Sequence, residues 1–139
     1  MPHRIAVGVL AVLLSAWSAS SQQGAPAGQW PTYGGDHAST KYSPLDQIDR
    51  GTVDRLQVVW RWASPDNEVV TTNRTILPSL PAAFKATPVL ANGVLYIKTS
   101  LSQAAAIDAA TGETLWVFDP GTWEGARPAN MGYNARGVA

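Results

Sequence analysis

The sequence has 139 residues, 45% hydrophobic and 14% charged, with ten Lys+Arg against ten Asp+Glu. A zero net charge excludes the basic excess that neutralises nucleic-acid phosphates, so no nucleic-acid partner is expected, and so low a charged fraction is unlike a disordered chain. With no cysteine in the sequence, disulfides, thiolate zinc sites, a cysteine nucleophile and a lipidated N-terminal Cys are all excluded.

The chain starts with a short basic segment, residues 1–4, followed by a twelve-residue apolar run at 5–16 (IAVGVLAVLLSA) and a group of small residues. Twelve apolar residues are too few for a bilayer span, which takes about 20, and the order basic–apolar–small is that of a secretory leader. Residues 1–21 are therefore expected to be a signal peptide and the protein to be exported. Residues 22–29 read as a Gly/Pro/Ala linker, and residues 30–42 as irregular, with Gly34-Gly35 as a turn rather than a phosphate cradle. Short helical turns are expected where Leu45 and Ile48, then Val53 and Leu56, share a face. Residues 56–62 (LQVVWRW) read as a strand, and residues 63–82, with Pro65, Pro78 and Pro81, as a loop.

From residue 84 the pattern becomes regular. Residues 86–91 read as a strand, Asn92-Gly93 as a two-residue hairpin turn and residues 94–99 as the returning strand. Residues 104–108 form a third strand, 109–112 a turn, and 114–118 a fourth. Four short strands joined by tight turns within about 35 residues match one blade of a β-propeller.

One stretch, residues 106–116, has the form A-x-D-x-x-T-G-x-x-x-W. Ala106 leaves room for a large neighbour, Asp108 and Thr111 can bond the turn backbone, and Gly112 supplies a left-handed conformation. Trp116 then presents an indole for docking on an adjacent sheet, worth roughly 2–3 kcal/mol when buried. The other reading of the same residues is an ordinary hairpin with a core Trp.

That motif resembles the tryptophan-docking motif of the pyrroloquinoline quinone (PQQ)-dependent dehydrogenases, which are eight-bladed β-propellers. Residues 30–36 (WPTYGGD), 41–48 (KYSPLDQI) and 58–62 (VVWRW) resemble the mature N-terminus of that family. Residues 86–97 resemble the start of its first blade, and Arg136-Gly137 the segment that follows. The resemblance implies an all-β fold in which residues 30–139 supply the first blade and N-terminal strand of an incomplete propeller. Residues 58–62 would complete the last blade, and a lone blade of this kind would be inactive and poorly folded.

By the same resemblance the activity is periplasmic oxidation of an alcohol or sugar, with PQQ and Ca²⁺ as cofactors and a cytochrome or ubiquinone as electron acceptor. The family's catalytic Asp and metal ligands belong to later blades, so no catalytic or metal-binding residue is expected here; Asp46, Asp49 and Asp54 read as solvated turn charges. Arg136 matches the family's Arg at the quinone oxygens, or is a surface Arg. Lys85 stands where many members have a Glu that contacts PQQ, and is either a partner for a PQQ carboxylate or an ordinary exposed Lys. The adjacent cysteines that alcohol-oxidising members often carry before that Arg are replaced by residues 129–134 (ANMGYN). His37 reads as solvated, Asn73-Arg74-Thr75 as a chance sequon, and Trp123 as a cap on the sheet in preference to a pocket wall. A non-catalytic periplasmic propeller, scaffold or sensor, is the alternative function.

Overall fold

The computed structural model describes residues 24–26, 28–75, 77, 84–125 and 133–138. The leader assigned to residues 1–21 lies outside them, as do Pro78, Pro81 and residues 129–132. The centre of the molecule is a four-stranded antiparallel sheet in sequential order: β2 (Val89–Ala91), β3 (Val94–Lys98), β4 (Ala104–Asp108) and β5 (Thr114–Phe118). A separate two-stranded parallel pair joins β1 (Phe84–Thr87) to β6 (Ala135–Gly137). Asn92 and Gly93 turn β2 into β3 with φ of 52° and 78°, as a type I′ hairpin requires. On the outer side of β2, Trp30 and Leu90 exchange both backbone hydrogen bonds, at 2.8 and 2.9 Å, and Gln29 Oε1 accepts the Asn92 N–H. That covers one edge of the sheet.

Register assigns the faces. Val89, Tyr96, Ala106 and Trp116 lie opposite one another across the four strands and share one face. The other face carries Leu95, Ile97, Ala105 and Ile107, packed against Trp60, Trp62 and Ala86. A second cluster lies beyond the end of the sheet, where Val70 and Leu77 meet the fully buried Leu101.

Four expectations are corrected. Residues 56–62 form no ladder; a strand needs an edge to pair with, and this segment is held by its indoles instead. Residues 63–82 are not all loop, because α1 (Asp66–Thr72) begins directly after Pro65. A proline at a helix start loses only an N–H that has no intrahelical partner, and Asp66 and Glu68 in the first turn favour the helix dipole. The strand expected over 86–91 is divided at Pro88, which cannot donate to a ladder, so β1 and β2 enter different sheets. The helical turn expected at Leu45–Ile48 does not form, whereas a 3-10 turn does occupy Val53–Arg55.

Part of the 22–29 segment is packed. Ala25 is buried, its N–H donating to Tyr42 O, and the Gly24 N–H donates to Asp36 Oδ2 at 2.7 Å. Asp36 also accepts from the Thr40 N–H and hydroxyl. The Thr40 backbone bond is the main force holding this carboxyl below its ordinary range.

Candidate functional site

The parallel pair places the two candidate cofactor residues side by side. Phe84 lies opposite Ala135 and Thr87 opposite Gly137, so Lys85 and Ala86 together face Arg136 across a bulge. Gly137 has a φ of +138°, and a Cβ there would stand 3.0 Å from Thr87 O. Only glycine lets the two backbones approach this closely. Lys85 and Arg136 are both exposed, and neither side chain makes a hydrogen bond or ion pair among the described residues. Two free cations on adjacent strands suit an anion with several carboxylates, and a guanidinium adds a planar fork of donors.

The hairpin between β4 and β5 is built as its residue types require. Asp108 Oδ1 accepts the Ala110 N–H at 2.9 Å, the Thr111 N–H at 2.8 Å and the Thr111 hydroxyl at 3.0 Å. The Thr111 backbone bond, followed by its hydroxyl, keeps the Asp108 carboxyl below its ordinary range. Gly112 turns the chain at φ +77°, and a Cβ there would lie 2.6 Å from Cδ2 of Trp60. Trp60 is the residue that sequence reasoning missed. Its ring lies on Gly112, and its Nε1 donates to Ala109 O at 3.2 Å. Trp62, two residues on, reaches the same side and donates to Thr114 Oγ1 at 2.9 Å. The W-x-W spacing at 60–62 was the available signal, because alternate residues of an extended chain share a side.

Trp116 occupies the opposite face. Ala106, between Tyr96 and Trp116 in register, is completely buried, and the two rings close over it with centroids 6.2 Å apart and planes at 48°. A larger residue at 106 would force the rings apart. Trp116 itself is 47% exposed, and its N–H meets no acceptor among the described residues. Beside it lies an apolar hollow of about 320 Å³ lined by Val89, Ala91, Tyr96, Trp116 and Val138, among others.

The remaining candidates lie away from the β1–β6 pair. Asp46, Asp49 and Asp54 are exposed, and Asp49 serves its own turn by accepting the Gly51 N–H at 2.7 Å. His37 is exposed in the polar loop. Asn73 ends α1, its amide nitrogen donating to Val69 O and Thr72 Oγ1, both at 2.9 Å. Trp123 packs against the Val70–Leu77–Leu101 cluster and also lines a hollow of about 330 Å³ with Glu68, Thr72 and Gln103. No group of three or more His, Cys, Asp or Glu residues that could hold a metal occurs among the described residues. Nor is any helix among them long and apolar enough to cross a membrane.

Residues 30–139 match the family model described as glucose/ethanol/alcohol dehydrogenase, β-propeller domain, of the PQQ type. The chain belongs to this family. Its four-stranded sheet is accordingly a blade of a PQQ β-propeller. The dehydrogenase subunit of a quinone alcohol dehydrogenase from Gluconobacter oxydans is 38% identical over 101 residues, covering 73% of this chain and 12% of that protein. A 1-butanol dehydrogenase (cytochrome c) from Thauera butanivorans is 33% identical over 132 residues, 91% of this chain and 16% of the relative. A solved quinohemoprotein alcohol dehydrogenase from Comamonas testosteroni is 32% identical, with a TM-score of 0.48, over 67% of this chain and 12% of that structure. The chain thus spans between about an eighth and a sixth of the length of these relatives.

Proposed function

We propose that this chain is the N-terminal part of a periplasmic PQQ-dependent dehydrogenase that oxidises an alcohol or a sugar, and that Arg136 and Lys85 hold the cofactor. Family membership supports the reaction class, and the relatives' names span both substrate types, since a quinoprotein glucose dehydrogenase from Gluconobacter oxydans is 34% identical over 119 residues. The observation that carries the site is the pairing of β1 with β6, which sets two exposed, unpartnered cations on neighbouring strands. PQQ, a tricarboxylate, fits that donor set. When bound, it supplies the two-electron acceptor for the substrate's CH–OH carbon. Arg136 stabilises negative charge on the cofactor's oxygens, and Lys85 neutralises a carboxylate. Ca²⁺ ligands and the catalytic base belong to parts of the protein beyond these residues, as does contact with a cytochrome or ubiquinone acceptor. The basic–apolar–small order of residues 1–21 supports export. The proposed docking of Trp116 on a neighbouring blade agrees with its exposed ring.

The test uses the complete reading frame that carries these residues, purified without cofactor and supplied with PQQ and Ca²⁺. Dye reduction with primary alcohols or aldoses is expected to depend on PQQ. Arg136→Ala should weaken PQQ binding about tenfold or more, and Lys85→Ala less. Absence of PQQ-dependent reduction with both substrate classes would overturn the proposal in favour of a non-catalytic scaffold or sensor.

A further inference from the structure

The strand that carries Arg136 has three residues and is fixed on both flanks. On its C-terminal side Gly137 presses against Thr87 O. On its N-terminal side Tyr133 packs on the Val70–Leu77–Leu101 core, and its hydroxyl donates to Trp123 O at 3.3 Å. Trp123 is held in turn, since its Nε1 donates to Asp119 Oδ2 at 3.0 Å, and the same oxygen accepts from Gln103 Nε2 at 2.9 Å. The neighbouring Thr122 hydroxyl donates to Leu101 O at 3.0 Å, and the Leu101 N–H reaches Asp66 of α1 at 3.4 Å. Contacts therefore run without a gap from α1 through the β3–β4 loop to a tyrosine three residues before Arg136.

This support is not the cheapest way to build a core. Asp66 and Gln103 are each 3% exposed, yet Asp66 Oδ1 and Gln103 Oε1 have no hydrogen-bond partner among the described residues. Orphaned buried acceptors cost stability and call for an explanation other than packing. An arginine side chain is long, so the place where its backbone is rooted decides where the guanidinium can reach, and a shift of about 1 Å in such a group is costly in recognition and catalysis. We infer that Tyr133 is a positioning residue for Arg136, seated by Trp123 and the α1–Leu101 core, and that it sets where the guanidinium meets an anionic cofactor. This rests on the cofactor role proposed for Arg136.

A double-mutant cycle in the complete protein tests it, with PQQ affinity measured by titrating the cofactor-free enzyme. Tyr133→Leu keeps the apolar fill and removes the hydroxyl and ring. It should weaken PQQ binding about tenfold with substrate KM changed less than about twofold, and the effect should vanish in the Arg136→Ala background. Trp123→Phe is a milder second variant, should Tyr133→Leu not fold; it removes the bond to Asp119 and should cost about threefold, again only when Arg136 is present. Equal losses in both backgrounds, or no loss, overturn the inference while leaving the Arg136 role intact. If Arg136→Ala by itself leaves PQQ affinity unchanged, the cofactor role fails and the inference fails with it.

Discussion

On one face of the four-stranded sheet, Ile97, Ala105 and Ile107 are buried beneath Trp60 and Trp62. On the other, Trp116 is 47% and Phe118 62% exposed, beside an apolar hollow. The difference lies in the supply of partners rather than in composition. A segment close in sequence reaches the first face and fastens two indoles to the β4–β5 hairpin, although Val117 of that face stays 42% exposed. On the second face, by contrast, Val138 lines the hollow and the Trp116 and Phe118 rings stay open. A blade can thus recruit cover for one side locally, but a ring of blades has to supply the other.

The contrast can be measured. Trp60→Ala removes a ring that both packs and donates to Ala109 O, and should cost about 3 kcal/mol of local stability, read as lost hydrogen-exchange protection of the β4–β5 hairpin amides. Gly112→Ala should cost about 2 kcal/mol, because the added carbon meets the Trp60 ring and the backbone has to hold a positive φ. Trp116→Ala should cost only about 1 kcal/mol in this chain. If Trp116→Ala proves as damaging as Trp60→Ala, the second face is covered and the contrast is wrong.

The smallest effect separates two carboxylates. Asp108 is held below its ordinary value of 3.8 chiefly by the Thr111 N–H, so the folded state binds its proton less readily than the unfolded state. Its stabilisation is complete above that value and fades as pH falls through the depressed one. Asp66 is displaced upward, first by desolvation. Its contribution is present below 3.8 and fades as pH rises towards and through the raised value. Hydrogen exchange corrected for intrinsic rates should accordingly show, on acidification, the Thr111 amide losing protection while the Val70 amide, in the core beside Asp66, gains it. A parallel change at both sites would contradict these assignments.

The blade itself was readable from sequence wherever the signal was local. Asn92-Gly93 set one hairpin, and Asp108, Thr111 and Gly112 set the other, through bonds spanning a few residues. The misses share a cause. Whether residues 56–62 form a strand depends on an edge to pair with, and whether Val69 and Val70 are helical depends on Leu101, thirty residues away, to bury them. Pro65 and Pro88 show that one residue type has two meanings, a helix start in one place and a divided strand in the other. For the site, the resemblance singled out Lys85 and Arg136, but no periodicity could tell that β1 and β6 run parallel and bring them together. Tyr133 carried no signal at all, since its role comes from tertiary contacts.

The outer strand β5 has a further consequence. All five of its residues are exposed, it bears no charged side chain, and its free margin has no protein partner among the described residues, whereas β2 at the opposite margin is closed by Trp30. Such a margin is a template for strands of other copies. During synthesis, each molecule is thus open to self-association for as long as that margin stays bare, so the speed with which it is covered governs the yield of usable protein as much as the final stability does.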